Sequence, residues 1–301
     1  AMGVGIDAAI ARAHAAGVEF VPFIDELVFP KAVVAAFKDN ITDGKGRIRW
    51  CNATAALLEA QLDAVFARFP GLDGILVRTG ETYVYDTPYH EGNSPTAGVS
   101  GDAAQVAIWV DVITRVRAIV CERHGKQVYW RAWDSFAGWS GDPGYYLNVT
   151  DPIAPHPLLY FSVKHTAGDF FRCMAFNRQL GVGKHAQIIE VELQREYEGK
   201  GAVPNYVLHG VIDGFDDLGP SQDIGIASLL SKPQIRGVWT WSRGGGWWGP
   251  YIHGREFWVD LHVRVMATWW GSNGTVSEAA AFGLACAHLL GLPSASAPAC
   301  A

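Results

Sequence analysis

The sequence predicts a protein of the α/β class, in which helices cover a sheet of parallel strands. Two observations indicate this class. Helical patterns alternate along the chain with short, continuously apolar segments of strand length, and Gly or Pro stands at most of the junctions between them. The composition agrees, because 49% hydrophobic and 18% charged residues over 301 positions are sufficient for a large buried core.

Helices and strands can be placed in order from these patterns. The first helix is Ala-rich and ends before Gly17, where an apolar strand follows. The same unit of helix and then strand recurs twice, through Pro70-Gly71 and through Gly125. The predicted helices cover residues 6–16, 55–69, 103–124 and 257–270. The predicted strands cover residues 18–24, 74–78, 128–133, 158–164, 187–193 and 237–241.

Polar side chains follow nearly every predicted strand, and this favours one type of α/β fold. They are Asp25, Glu26, Arg78, Glu81, Arg131, Asp134, Lys164, Asp169, Glu196 and Arg243. Active sites of (β/α)8 barrels are built from the carboxyl ends of the strands, so we expect a (β/α)8 TIM-type barrel rather than a doubly wound sheet. Only six of the eight strands of such a barrel can be placed in the sequence. The other two are either cryptic or absent, and the first strands of the barrel are the ones that this chain could lack. No linker or repeat divides the chain, so residues 1–301 are expected to form one catalytic domain.

Charge and motif content exclude several classes of protein. The net charge is −6 and no basic block could follow a phosphate backbone, so we expect no nucleic-acid partner. We expect no membrane partner either, since no stretch approaches 18 consecutive apolar residues. The five cysteines and ten histidines form no spaced ligand pair, so neither a metal nor another cofactor is predicted.

Acceptor motifs for N-glycosylation favour an extracellular, secreted protein, although a cytoplasmic location stays open. They begin at Asn40, Asn52, Asn148 and Asn273.

Three acidic residues are the candidate catalytic groups. Glu81, Asp169 and Glu196 each follow a strand closely and have apolar or aromatic neighbours. Glycoside hydrolysis requires one protonated carboxylic acid for the leaving oxygen and one ionised carboxylate to activate water or to attack the sugar. The alternative is that each carboxylate caps the following helix or pairs with a nearby cation.

Cations and aromatic rings near the same strand ends suggest an acidic sugar as the ligand. Arg78, Arg131 and Lys164 follow or end three strands and suit an anionic substrate, unless they only balance charge. Trp247 and Trp248, in a Gly-rich segment, could stack on sugar rings. Three other tryptophans, Trp258, Trp269 and Trp270, recur at helical spacing and are expected in the core.

The order of four segments resembles the catalytic barrel of the α-glucuronidases of glycoside hydrolase family 67. Residues 69–78 together with Glu81 resemble the strand of that family that ends in its general acid, and residues 128–131 resemble the next strand, with its Arg. Residues 161–170 resemble a strand that bears a Lys and, five positions later, a catalytic Asp. Residues 190–197 resemble a strand that ends in Glu-Tyr.

The resemblance implies an inverting hydrolase that releases glucuronic acid or a related acidic sugar from oligosaccharides such as xylan side chains. Glu81 would be the general acid, and Asp169 or Glu196, or both, would position and deprotonate water. Arg131 and Lys164 would hold the uronate carboxylate or nearby hydroxyls. The predicted substrate contacts are Arg78, Arg131, Lys164, Asp134, Tyr197, Trp247 and Trp248.

Two other functions stay open at this point. A non-catalytic carbohydrate-binding barrel would keep the aromatic residues and lack the required arrangement of carboxylates. A metal-dependent isomerase or lyase acting on sugar acids would use the same cations for the substrate carboxylate and would need a divalent ion.

Overall fold

The computed structural model describes residues 2–78, 87–133, 139–170, 174–193, 206–215, 219, 224–241 and 257–296. Within them the chain has a mixed α/β fold with a six-stranded parallel sheet, so the predicted α/β class is confirmed. The strands are β1 (Phe23–Asp25), β2 (Val28–Pro30), β3 (Gly74–Arg78), β4 (His90–Gly92), β5 (Gln127–Arg131), β6 (Leu159–Lys164), β7 (Ala186–Glu192) and β8 (Ile235–Trp241). The α-helices are α1 (Met2–Ala15), α2 (Lys31–Ile41), α3 (Asn52–Arg68), α4 (Asp102–Val116), α5 (Pro143–Thr150), α6 (Leu208–Asp213), α7 (Phe257–Gly271) and α8 (Glu278–Leu289).

Strands of the parallel sheet lie in the order β1-β3-β5-β6-β7-β8. Each of them therefore neighbours the sheet strand that comes before it along the chain. The register places Asp25 opposite Arg78 and Arg131 opposite Ser162. The two remaining strands, β2 and β4, form a separate antiparallel pair.

All six predicted strands are strands of this sheet. The largest error is at β1, which begins at Phe23 rather than at residue 18. Pro22 directly precedes it and has no N–H to donate to the ladder, which explains the late start. The four predicted helices are confirmed as α1, α3, α4 and α7, and α4 continues into π-helical turns over Arg117–Arg123.

The chain divides into two compact units. One comprises Ala1–Ser162 with Gly183–Ala186, and the other comprises Val163–Val182 with Gln187–Ala301. The expectation of a single domain over residues 1–301 stays a prediction.

Helix α3 shows how the core of the first unit forms. Its start is fixed by a capping box, in which the Cys51 N–H donates to Thr54 Oγ1 at 2.7 Å. Leu58, Leu62 and Phe66 recur every four residues along one face of the helix and are buried. The core also contains the apolar side chains of β3 and β5, the fully buried Trp109 of α4, and the fully buried Trp139, which lies in the turn before α5.

In the second unit, α7 and α8 are paired helices. Small side chains on α8, Ala281 and Ala285, are buried and allow close approach to the neighbouring helix. On α7, Trp269 is buried as predicted, but Trp258 is 40% exposed, so its expected place in the core was wrong. Trp258 is the second residue of the helix, where the first turn leaves its side chain open to solvent. In the part of the chain that the structure describes, no helix combines the length and apolar character of a membrane span.

Candidate active site

Four of the predicted site residues lie within the described parts of the chain: Arg78, Arg131, Lys164 and Asp169. The predicted catalytic residues Glu81 and Glu196 lie outside the described residues. The same holds for the predicted substrate contacts Asp134, Tyr197, Trp247 and Trp248.

Arg78 ends β3 and is held by an aspartate on the neighbouring strand. Because Asp25 and Arg78 are register partners, their side chains leave the sheet on the same face. The guanidinium donates from Nη2 to Asp25 Oδ2 at 2.8 Å and from Nε to Oδ1, so the pair is bidentate. Its carbon Cζ also lies 5.6 Å from the centre of the Phe23 ring. Part of the charge predicted for substrate binding is therefore compensated within the protein.

Arg131 ends β5 and is buried, with only 3% of its surface exposed. Its guanidinium carbon lies 5.6 Å from the centre of the Trp133 ring, within the range of a cation–π contact. A guanidinium retains its charge at any physiological pH, so its burial requires compensating partners. Arg131 is thus a fixed, largely desolvated positive charge at the carboxyl end of its strand.

In the second unit, Lys164 and Asp169 form a direct ion pair. Lys164 ends β6, and its Nζ lies 2.8 Å from Asp169 Oδ1, five residues later. The lysine side chain is 4% exposed and the aspartate 26%, so the pair is open to solvent on the carboxylate side. The ammonium also lies 4.7 Å from the centre of the Phe170 ring. Lys164 and Asp169, which the sequence comparison associated through their five-residue spacing, are therefore in direct contact.

A buried glutamate on β7 was missed by sequence analysis. Glu190 is fully buried, and its Oε1 accepts a hydrogen bond of 2.6 Å from the Trp241 indole N–H on β8. It sits between Ile189 and Val191, both buried, in a run that otherwise indicates only a core strand. An acidic residue inside such a run was the available signal, because a carboxylate is rarely buried without a specific partner.

His165 follows Lys164 and is also buried. Its ring stacks on Phe170 with centres 5.3 Å apart, and its backbone N–H donates to the Glu190 carbonyl oxygen at 3.0 Å. Burial lowers the pKa of His165 to about 4, with Lys164 acting in the same direction and Glu190 opposing it. The imidazole is therefore neutral at pH 7.

This histidine predicts a loss of stability in mild acid. In the unfolded chain His165 takes up a proton near its ordinary pKa of 6.5, whereas in the fold it does so only near pH 4. The free energy of unfolding therefore falls by about 3 kcal/mol as the pH drops from 6.5 to about 4. Above pH 6.5 the histidine causes no such loss. Urea unfolding of the wild type and of His165→Phe between pH 7 and 4 measures this, with the variant showing the shallower pH dependence. If the free energy of unfolding depended on pH in the same way in both proteins, this prediction would be contradicted. His209→Asn, which removes an exposed histidine, is the control.

Among the described residues, no three or more His, Cys, Asp or Glu side chains are grouped so as to hold a metal ion. Among the described residues, the first unit holds the Arg78–Asp25 ion pair and the buried Arg131, and the second unit holds the Lys164–Asp169 ion pair. No known protein family matches this sequence, and no curated protein matches it either.

Proposed function

We propose that the chain is a glycoside hydrolase that releases glucuronic acid or a related acidic sugar from oligosaccharides, such as xylan side chains, with inversion at the anomeric carbon. The observation that carries this proposal is the Lys164–Asp169 pair at the carboxyl end of β6. It combines a buried cation, suited to an anionic sugar, with a partly exposed carboxylate, suited to a water molecule.

A (β/α)8 barrel is part of the same proposal. The sequential strand order supports it, because right-handed crossovers that always step in one direction bring all the helices to one face of the sheet. The opposite face then buries its side chains when the sheet closes on itself. A doubly wound sheet would instead reverse its strand order at a switch point.

In the proposed mechanism, Glu81 protonates the oxygen of the leaving sugar. Asp169, together with Glu196, orients a water molecule on the opposite face of the sugar and removes its proton as it attacks. Lys164 fixes the direction of the Asp169 carboxylate, and Arg131 and Lys164 attract the carboxylate of the substrate. The further proposed substrate contacts are Arg78, Asp134, Tyr197, Trp247 and Trp248.

Secretion also belongs to the proposal. The asparagines of all four glycosylation motifs are exposed, as acceptors on a folded secreted protein need to be. They are Asn40, Asn52, Asn148 and Asn273.

A proton NMR time course on xylooligosaccharides carrying 4-O-methylglucuronic acid tests the reaction. We expect the acidic sugar to be released first as the β-anomer, with no change when a chelator is added. The Glu81→Gln protein should be strongly impaired on this substrate, whereas Glu59→Gln, which changes an exposed surface ion pair, should match the wild type.

Three results would contradict the proposal. Initial release of the α-anomer would indicate retention of configuration, and activity abolished by the chelator would indicate a metal-dependent isomerase or lyase. Binding of the acidic sugar without any release, seen as a ligand-dependent rise in Tm, would indicate a carbohydrate-binding protein.

A further inference from the structure

Glu26 is a buried carboxyl group that the proposed reaction does not use. It directly follows β1, only 3% of it is exposed, and neither of its side-chain oxygens has a hydrogen-bond partner among the residues that the structure describes. Its backbone N–H donates to the Arg78 carbonyl oxygen at 3.1 Å, which anchors the main chain at this point. Burial raises the pKa of Glu26 well above its ordinary value of 4.5. An unpaired carboxyl group in this position requires an explanation, since buried polar groups are nearly always hydrogen-bonded.

The side chain lines a cavity of about 80 Å³ within the first unit. The walls come from β1, β3, α3 and α4 and are almost entirely aliphatic. The apolar lining residues are Ile24, Leu58, Leu62, Val65, Ile75, Val77 and Val116. Two other polar residues line it and already have partners, because Asp25 binds Arg78 and the Gln61 amide donates to the Val28 carbonyl oxygen at 3.1 Å.

We propose that this cavity is a binding site for a small, uncharged aliphatic molecule with a single hydroxyl group, which hydrogen-bonds to Glu26. The volume sets the size of the ligand. An engineered apolar cavity of about 150 Å³ binds benzene, with its six heavy atoms, so by proportion 80 Å³ corresponds to a ligand of about three to four heavy atoms. The three-carbon alcohol 2-propanol lies at the upper end of this range.

The carboxyl group of Glu26 and the aliphatic walls together favour a ligand with a hydroxyl group over an ammonium ion or a water molecule. A protonated carboxyl group offers one O–H donor and an acceptor oxygen, and one hydroxyl can accept from the first and donate to the second. An ammonium group has three N–H donors, and burying it among aliphatic side chains with a single carboxyl group to receive them is costly. A water molecule alone would leave most of the aliphatic wall without contacts.

Methyl NMR of the wild-type protein tests this site with 2-propanol as the probe. We expect saturable shifts at the methyl groups of Leu58, Leu62, Val65, Ile75 and Val116, with a Kd in the low millimolar range that is usual for so small a ligand. Glu26→Gln retains a donor and an acceptor and should still bind. Glu26→Met retains the length of the side chain without either, and should bind at least about tenfold more weakly.

Isopropylammonium has the same shape as 2-propanol and serves as the charged counterpart. We expect it to cause no saturable shifts at these methyl groups. Saturable binding of isopropylammonium would overturn the proposal in favour of a cation site. Shifts with 2-propanol that rise linearly without saturation, or that are unchanged in Glu26→Met, would overturn it as well. Val116→Ile narrows the cavity without altering Glu26 and should also weaken binding of 2-propanol.

Discussion

Replacement of Asp169 by Asn is expected to lower kcat for release of the acidic sugar by about 10²–10⁴-fold. Asparagine has nearly the same shape, and its amide oxygen can still accept the hydrogen bond that Lys164 now donates to Asp169 at 2.8 Å. It cannot accept a proton from the attacking water. The loss should therefore appear mainly in kcat, with little change in KM.

Variation of the leaving group tests the role proposed for Asp169 separately from the role proposed for Glu81. A substrate with a good leaving group needs no proton from an acid, so it should restore much of the activity of Glu81→Gln and little of that of Asp169→Asn. Near wild-type rates for Asp169→Asn on either substrate would exclude its role as a base. Asp111→Asn, which alters an ion pair on the exposed side of α4, is the matched control for the substitution itself.

Replacement of Glu26 by Met is expected to raise the free energy of unfolding at pH 7 by about 1–3 kcal/mol, the usual cost of burying a polar group without a hydrogen-bond partner. In the unfolded chain Glu26 ionises above its ordinary pKa of 4.5, but in the fold burial raises this pKa and favours the protonated form. Folding therefore loses about 1.4 kcal/mol for each pH unit above 4.5, until the pH passes the raised pKa of the folded state. Methionine keeps the length of the side chain and does not titrate.

Urea unfolding between pH 4.5 and 8 measures this effect. The advantage of Glu26→Met over the wild type should grow as the pH rises, which is the direction opposite to the acid loss expected from His165. A constant difference between the two proteins at all pH values would show that Glu26 does not titrate differently on folding. Glu26→Gln should give a smaller gain, because it leaves a buried amide in place of the acid.

The strands of the sheet were predictable because their signal is local. In β3, Gly74 and the three apolar residues that follow it are all buried, and such runs are typical of parallel strands covered on both faces. The antiparallel pair β2 and β4 could not be predicted in the same way. Each strand has three residues, and about 60 residues separate them, so neither periodicity nor a turn motif connects them.

Within the candidate site, only contacts between residues that are close in the sequence could be expected from the sequence alone. Lys164 and Asp169 are five residues apart and meet across a single turn of chain. The partner of Arg78, by contrast, is Asp25, 53 residues earlier, and their contact depends on the register between β1 and β3. Glu190 was missed because the apolar residues around it predict a core strand, and His165 was missed because its polar neighbours Lys164 and Thr166 gave no sign that it is buried. Glu26 was recognised as polar, but its cavity is formed by residues of four separate elements.

The sequential order of the sheet has a consequence for synthesis of the protein on the ribosome. Each new strand from β3 to β8 finds its partner in a strand that has already been made, so the sheet can grow by addition at one edge as the chain emerges. No strand of the sheet has to wait for a later one to be inserted between it and its predecessor. Unpaired strand edges, which promote aggregation in nascent chains, are thus limited at any moment to the most recent strand and the first.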